Sequence, residues 1–204
     1  MSLSTQSSSP QSGSTPNGSP SNGSPHSGQA SVSPDRFRRV AGHYPTGVVL
    51  VTAPAPSPRQ PPPAMVIGTF TSVSLHPPLV GFLPARTSTT WPRIRAAGRF
   101  CVNVLAADQQ HVCRSFATAD PRRWEVPHHE TGTGSPVLLD ALAWFDCELA
   151  DEVDAGDHWF VTGAVRDLGV RRVGPPLVFL RGGYSHCALH ADTSGAGAGA
   201  GVTG

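Results

Sequence analysis

Short apolar runs, separated by Gly, Pro and polar residues, recur along the middle of the chain. Runs of about four to eight apolar or β-branched residues between such turn signals are typical of β-strands. One run passes through Gly68 into a segment where small hydroxyl side chains surround one aromatic residue and one valine. The predicted strands are residues 47–52, 65–74, 79–83, 99–105, 143–151, 158–168 and 176–181.

Three segments have the spacing of short helices, with apolar residues three or four positions apart. The first begins near Pro34, the second spans residues 90–98, and the third spans residues 108–117. The recurring apolar residues are Phe37, Val40 and Ala41 in the first helix, Ile94 and Ala97 in the second, and Val112, Cys113 and Phe116 in the third.

Six or so strands with only short helices predict a mostly-β fold, an antiparallel barrel rather than a parallel βαβ sheet. Residues 54–63 are rich in Pro and lack an apolar anchor, so we expect an exposed loop there. Residues 120–135 are polar and rich in Gly, Pro and His, and they are predicted to be a mobile loop.

The two ends of the chain differ from its middle in composition. Residues 1–34 contain no Asp, Glu, Lys or Arg and are dominated by Ser, Pro, Gly and Asn, which predicts a disordered tail. Residues 191–204 have the composition of a flexible Gly/Ala linker, and their glycine spacing does not match a dinucleotide-binding motif. One ordered domain, residues 35–190, is therefore expected.

Charge and cysteine usage narrow the function and the compartment. The net charge is +1, which gives no reason to expect nucleic acid or an anionic membrane as a partner. All fifteen basic residues are arginine, which excludes a P-loop and Schiff-base chemistry because both need a lysine. The four cysteines, Cys101, Cys113, Cys147 and Cys187, lack metal-site spacing, and we expect all four to be buried in a reducing compartment. No signal peptide or transmembrane run is present in the sequence, so a cytoplasmic protein is expected.

Residues 64–94 combine a hydroxyl-lined strand surface with a candidate anion site. Thr87, Ser88 and Thr89 precede a predicted helix start, with Pro92 in its first turn. Hydroxyl groups at this position can cap the helix, and the same backbone N–H groups can instead hold a phosphate. A phosphorylated planar ligand such as a flavin would suit this stretch, but on chemistry alone an ordinary strand pair and a capped helix are favoured, because Ser and Thr are common on the solvated face of antiparallel strands.

The segments GTFTSVSLHPPLVGFL and TSTTWPRIRAAGRFCVNVL, which begin at Gly68 and Thr87, resemble the flavin reductase-like family, whose fold is the FMN-binding split barrel. The run YPTGV from Tyr44 resembles the strand that opens the family's domain, and the run AGDH ending at His158 matches the family's turn letter for letter. The resemblance covers about residues 37–184.

The resemblance also implies which residues bind cofactors. In the family, the first segment wraps the isoalloxazine ring and ribityl chain, and the second receives the phosphate. The residues implied for the ring and ribityl chain are Val66, Ile67, Gly68, Thr69, Phe70, Ser72 and Val73, and those implied for the phosphate are Thr87, Ser88, Thr89, Arg93 and Ile94. His158 and Tyr184 are implied as catalytic residues beside the nicotinamide.

Two positions depart from the family's pattern. Ala64 stands where Gly is usual, and Val66 stands where Thr is usual, which removes one hydroxyl that would contact the ring. The remaining candidate chemistries have weaker support: His128, His129 and Glu130 do not make a complete metal site, and no Gly-x-Ser-x-Gly nucleophile motif is present. No metal is therefore expected.

The resemblance implies an NAD(P)H-dependent flavin reductase that uses FMN or FAD, with NADH or NADPH as cosubstrate. It further implies a homodimer that supplies reduced flavin to a partner monooxygenase. Two alternatives remain: a non-catalytic flavin-binding sensor or electron-transfer protein, and a small oxidase like pyridoxamine-phosphate oxidase. The Gly-Asp-His turn favours the reductase over both.

Overall fold

A computed structural model describes residues 32–187. The predicted tail of residues 1–34 lies outside this range except for its last three residues, and the predicted tail of residues 191–204 lies wholly outside it. The helices are α1 (Pro34–Ala41), α2 (Trp91–Ala97) and α3 (Gln110–Ala117). The strands are β1 (Thr46–Gly47), β2 (Val49–Thr52), β3 (Ala64–Ile67), β4 (Thr71–Leu75), β5 (Pro78–Phe82), β6 (Arg99–Val104), β7 (His128–Glu130), β8 (Pro136–Leu138), β9 (Ala143–Ala155), β10 (His158–Val170), β11 (Leu177–Leu180) and β12 (Gly183–His186).

A seven-stranded antiparallel sheet forms the centre of the domain, in the order β3-β2-β6-β9-β10-β5-β4. The long strands β9 and β10 make a hairpin whose tight turn lies at Gly156 and Asp157. A second sheet has the order β1-β11-β12, and β7 pairs with β8. The prediction of a mostly-β antiparallel fold with short helices is confirmed.

The strand β2 lies at the heart of the core because both of its faces are buried. Val49 and Val51 pack into one apolar cluster with Phe82, while Leu50 packs into a second cluster with Phe116. Alternate residues of a strand point to opposite faces, so an unbroken apolar run is what a strand covered on both sides requires. The prediction of a buried strand in residues 47–52 therefore holds for β2.

All three predicted helices are present, but they differ in burial. Helix α2 buries Trp91 and Ile94, and α3 buries Val112, Cys113 and Phe116, as their spacing predicts. Helix α1 buries no residue, and Phe37 and Val40 are each 66% exposed. The spacing of apolar residues in α1 thus marks a face that residues 32–187 leave uncovered.

Residues 120–135, predicted as a mobile loop, contain regular structure. A 3₁₀ turn, Arg123–Glu125, is followed by β7, and the segment ends at a buried polar cluster around Asp146. The carboxylate of Asp146 accepts hydrogen bonds from the hydroxyls of Thr131 at 2.9 Å and Thr133 at 2.6 Å, and from the Thr133 N–H at 3.2 Å. The small polar residues whose composition predicted a loop here supply the hydrogen-bond donors that a buried carboxylate needs.

The cysteine prediction is correct for three residues and wrong for one. Cys101, Cys113 and Cys147 are buried, and all four thiols are free. Cys187 is exposed because it follows the last strand, β12, beyond the apolar core. In residues 32–187, no helix has both the length and the apolar composition needed to cross a bilayer.

Candidate active site

A cavity of about 260 Å³ lies where the end of β3 meets β11 and β12. Its lining is mostly apolar and aromatic, with one phenol hydroxyl. The lining residues are Val48, Val66, Gly68, Phe179 and Tyr184. Two residues implied for the flavin ring, Val66 and Gly68, are thus brought together with the candidate catalytic Tyr184, which is more than a hundred positions later in the chain.

Gly68 allows the backbone to approach β1 closely at the cavity wall. A Cβ atom added to Gly68 would lie 3.1 Å from Oγ1 of Thr46, which is tighter than an ordinary carbon–oxygen contact. Glycine is the residue expected where a ligand or another backbone segment must come near. Thr46 belongs to the YPTGV run, so that run contacts the flavin-implied stretch.

The remaining residues of the first implied stretch are partly used by the fold itself. Ile67 is 6% exposed and packs in the core, so it can meet a ligand only through its backbone. The backbone N–H of Leu83 donates to Oγ1 of Thr69 at 2.9 Å. The Phe70 ring lies 5.5 Å from the Phe145 ring.

The strand β4 lies at the edge of the sheet and carries Ser72 and Val73. Both residues are exposed, and the pairing of β4 with β5 is irregular between Ser72 and Ser74. The Val73 side chain lies over Gly81, where an added Cβ would come within 2.9 Å of Val73 Cγ2. Ser72 and Val73 are therefore on the surface and do not line the cavity at Tyr184.

The Tyr184 phenol is held from behind by a cysteine of α3. The thiol of Cys113 donates a hydrogen bond to the phenol oxygen at 3.1 Å, and Cys113 is fully buried. The Cys113 sulfur next to the phenol, followed by burial, raises the pKa of Tyr184 to about 12, and burial raises the pKa of the Cys113 thiol. Both groups are therefore neutral near pH 7, and Tyr184 presents a protonated phenol at the cavity.

The second implied stretch precedes α2 as predicted. The Ser88 hydroxyl accepts hydrogen bonds from the backbone N–H groups of Trp91 at 3.1 Å and Thr90 at 3.3 Å. Thr87 and Thr89 are exposed beside it. Ser88 therefore accepts from the first backbone N–H of α2, although it lies two positions before the N-cap residue Thr90.

Arg93 and Ile94, the last two residues implied for the phosphate, lie in α2. Arg93 is exposed, and its guanidinium donates to the Pro61 carbonyl at 3.1 Å. Ile94 is 1% exposed and packs in the core. The side chain of Ile94 is thus committed to packing, whereas that of Arg93 can still turn toward an anion.

Arg86 ties the turn before His158 to the segment that leads to Ser88. Its guanidinium pairs with Asp154 and donates to the Gly156 carbonyl at 2.8 Å, and its backbone N–H donates to the Asp157 carbonyl at 3.0 Å. The guanidinium carbon also lies 4.0 Å from the centre of the Trp159 ring, a cation–π distance. The Gly-Asp-His turn and the hydroxyl-rich segment, 70 positions apart, therefore form one unit.

Sequence reasoning missed Arg86 because the residue gives no sign of its partners. It is one of several arginines in residues 86–99, and its contacts on the β9–β10 turn become adjacent only when the sheet forms. The one signal available is an arginine next to a hydroxyl run in a lysine-free chain, where any fixed cation has to be arginine.

The His158 ring is oriented by its neighbour. Its Nδ1 lies 2.7 Å from Oδ1 of Asp157, and this hydrogen bond is the main cause of a lowered Asp157 pKa, with the charge of His158 next. A carboxylate on Nδ1 leaves Nε2 as the nitrogen available to another partner. Within residues 32–187, no hydrogen bond or ring contact joins His158 to Tyr184, so their membership of one site stays a prediction.

Metal chemistry receives no support from the arrangement of side chains. Across the described part of the chain, no three His, Cys, Asp or Glu residues come together in a group that could hold a metal ion. The ring of His129 contacts the Arg171 guanidinium instead, and burial followed by that positive charge lowers the His129 pKa.

Comparison with known proteins identifies the family. Residues 41–188 match the family described as "Flavin reductase like domain", which is most of the chain. The chain therefore belongs to the flavin reductase-like family, in agreement with the sequence resemblance.

Three members of known role show to which proteins of that family the chain is similar. A flavin reductase of Pseudomonas putida is 46% identical over 157 residues, covering 76% of this chain and 91% of the relative. The reductase subunit HsaB of a flavin-dependent monooxygenase from Rhodococcus jostii is 40% identical, covering 76% of this chain and 78% of the relative. The solved structure of the NADH:FAD oxidoreductase SgcE6 from Streptomyces globisporus, in complex with NAD and FAD fragments, has a TM-score of 0.71 and 31% identity, covering 78% of this chain and 94% of that chain.

The cavity at Tyr184 fits part of a flavin. Apolar walls suit an aromatic ring system, and a small number of polar groups fix its orientation. Gly68 gives backbone access at the wall, and the protonated Tyr184 phenol can donate to a carbonyl oxygen. The volume of about 260 Å³ is below the roughly 300–1,000 Å³ of whole-ligand pockets, so the remainder of such a ligand would lie along the surface.

Proposed function

We propose that the protein is an NAD(P)H-dependent flavin reductase that supplies reduced FMN or FAD to a separate monooxygenase. The observation that carries the proposal is the cavity where Gly68 and Val66 meet Tyr184, in a chain 46% identical to a flavin reductase. The relationship to HsaB, a reductase subunit of a flavin-dependent monooxygenase, supports the monooxygenase partner.

The bound flavin would supply the redox chemistry, accepting at N5 the hydride that leaves nicotinamide C4. The chain's own groups bind and orient. Backbone N–H groups near Gly68 and Phe70 would lie against the ring, and the Tyr184 phenol would donate a hydrogen bond to it. Thr87, Ser88, Thr89 and Arg93 would hold the flavin phosphate at the start of α2.

His158 would orient the nicotinamide rather than transfer a proton. Hydride transfer itself needs no obligatory acid or base. Its fixed ring, with Asp157 on Nδ1 and Arg86 securing the turn, provides a rigid polar wall. A rigid wall lowers the entropy lost when the two rings stack.

The decisive experiment mixes purified protein with FMN or FAD under anaerobic conditions and adds NADH or NADPH. We expect the visible flavin absorbance to bleach at a rate proportional to protein concentration. A matched His158→Ala variant should require more NADH for the same rate while binding flavin as before. Persistent yellow colour with flavin bound would identify the non-catalytic sensor instead, and bleaching driven only by a substrate amine would identify the small oxidase.

We also propose that two copies of the chain associate. Phe37, Val40 and Tyr44 are 66%, 66% and 76% exposed, and along the chain they shortly precede β1, an edge strand of the β1-β11-β12 sheet. A second copy is the occupant expected from the family resemblance. Light scattering should give twice the mass of the 204-residue chain, and Phe37→Glu should shift the mass toward one copy.

A cytoplasmic location completes the proposal. Three buried free thiols, Cys101, Cys113 and Cys147, are typical of proteins that fold in a reducing compartment. Fractionation of cells that express the protein, with a periplasmic and a membrane marker as references, tests this location.

A further inference from the structure

A second pocket, with a basic lining, lies between α1 and the turn that joins β11 to β12. Its volume is about 290 Å³. Three arginines and a histidine line it, and none of its lining residues is acidic. The lining residues are Arg38, Arg39, Gly42, His43, Arg181 and Gly182.

The backbone holds Arg181 at this pocket. Its N–H donates to the Gly42 carbonyl at 3.0 Å, which ties the β11–β12 turn to the end of α1. Arg181 has a φ of 51°, the left-handed conformation that residues with a Cβ seldom adopt. Its guanidinium lies 3.0 Å from Nδ1 of His43, the residue that directly follows Gly42.

The positive charges at the pocket exceed the negative charges that could neutralise them. Arg38 pairs with Asp35 at 3.0 Å, but the two side chains are 75% and 93% exposed, so this pair is screened by water. Arg39 and Arg181 add two further guanidinium groups, and neither has a carboxylate partner within residues 32–187. Several guanidinium groups held together repel one another unless an anion lies between them.

The pocket is related to both parts of the proposed nicotinamide site. Phe179 lines the cavity at Tyr184, and Arg181 follows two residues later, in the turn that leads into β12, the strand that carries Tyr184. On the other side, the charge of Arg38 contributes to the lowered pKa of Asp157, after the larger effects of the hydrogen bond and charge of His158. The pocket is therefore within electrostatic range of the Gly-Asp-His turn.

We propose that this basic pocket binds the phosphate groups of the nicotinamide nucleotide whose ring is oriented by His158 and Tyr184. Guanidinium groups match phosphate oxygens in geometry and stay charged at every physiological pH. The inference rests on the proposed reductase function. A flavin phosphate has the same chemistry, and the test separates the two sources.

The kinetic test uses Arg181→Gln and Arg39→Gln, with Arg59→Gln as a matched control that removes an exposed arginine of the Pro-rich loop. Riboflavin serves as the acceptor, because it carries no phosphate, and FMN is the second acceptor. We expect the KM for NADH to rise about tenfold for each pocket variant, the effect of losing one charged hydrogen bond. The values of kcat and of the KM for riboflavin should match those of the control, and Arg181→Lys should recover part of the loss.

A binding test is independent of activity. Inorganic pyrophosphate should raise the melting temperature of the full-length protein, and Arg181→Gln should abolish this rise while Arg59→Gln keeps it.

The outcomes of the two tests separate the proposals. If the native chain fails to oxidise NADH but pyrophosphate raises its melting temperature, the reductase function fails and the pocket remains an anion site. If the native chain oxidises NADH but the pocket variants behave like Arg59→Gln in both tests, the pocket assignment is wrong. A rise in the KM for FMN, with the KM for NADH unchanged, would overturn the nicotinamide assignment in favour of the flavin phosphate.

Discussion

The thiol of Cys113 lies 3.1 Å from the phenol oxygen of Tyr184 and donates a hydrogen bond to it. Because the S–H group occupies one lone pair of the phenol oxygen, the phenol's own hydrogen is free to point at a ligand in the cavity that Tyr184 lines. We therefore expect Cys113 to be a positioning residue, which would act on a ligand only through Tyr184.

Removing either member of this pair should weaken flavin binding. Tyr184→Phe keeps the ring and removes the donor, so we expect a three- to tenfold loss of affinity, about the value of one neutral hydrogen bond. Cys113→Ala should give a smaller loss, and Cys113→Ser, which keeps a donor, should restore the native value. Quenching of flavin fluorescence measures the affinity. Equal affinities for the Cys113→Ala and Cys113→Ser variants would contradict the positioning role.

The same pair predicts how stability changes at alkaline pH. The pKa of Tyr184 is raised from 10.0 to about 12 in the folded chain, first by the neighbouring Cys113 sulfur and then by burial. Between these values the unfolded chain loses the phenol proton and the folded chain keeps it, so the free energy of unfolding falls as pH rises. Urea titrations from pH 9 to 12 should show a steeper fall for the native chain than for Tyr184→Phe. Parallel curves would contradict the raised pKa.

Arg86 should control the use of NADH through the position of His158. Arg86→Ala removes the contacts to Asp154, the Gly156 carbonyl and the Trp159 ring, so the turn is expected to loosen. We expect the KM for NADH to rise severalfold, with a change in unfolding free energy below about 1 kcal/mol because the ion pair is exposed. Arg86→Lys keeps a charge but not the planar contacts, so it should recover little. If Arg86→Ala instead lowers flavin affinity with the KM for NADH unchanged, the contacts of Arg86 do not control the position of His158.

Much of the fold was predictable because its signals are local. The run from Val48 to Thr52 is apolar at every position but the last, which only a strand buried on both faces tolerates, and β2 is such a strand. The start of α2 was predictable from hydroxyl groups followed by Pro92. The exposure of Phe37 could not be predicted, because periodicity locates an apolar face without telling which surface covers it.

The site was predictable only where a short motif carries it. Gly68, His158 and Tyr184 were implied by resemblance and stay predictions as site residues, whereas Cys113 and Arg86 make hydrogen bonds to partners 71 and 70 positions away. Asp146 belongs to the same class, since its donors come from a segment whose composition indicates a loop. Long-range polar pairing leaves no periodic trace in a single sequence.

Gly68 provides a test of the cavity wall. In Gly68→Ala the new methyl group would lie 3.1 Å from Oγ1 of Thr46, so flavin affinity should fall about tenfold as the wall shifts. The double variant Gly68→Ala/Thr46→Ala removes the crowding oxygen. Recovery of affinity in the double variant would place the conflict at Thr46, and no recovery would place the methyl group against the flavin itself. Native affinity in Gly68→Ala would show that the flavin does not bind beside Gly68.

Asp146 should matter for stability more than for activity. It is 1% exposed and accepts three hydrogen bonds from Thr131 and Thr133, and it lies next to the buried Cys147. Asp146→Ala removes the carboxylate that accepts all three of these hydrogen bonds in a part-buried cluster, which should cost about 1–3 kcal/mol of unfolding free energy. Burial, followed by the charge of Asp146, raises the pKa of Cys147 to about 12, so the variant should also make this thiol easier to ionise. Chemical denaturation measures the first effect, and the pH dependence of thiol alkylation measures the second, with Asp167→Ala on the exposed part of β10 as the control. A loss of stability no larger than that of the control would mean that Thr131 and Thr133 find other partners once the carboxylate is gone.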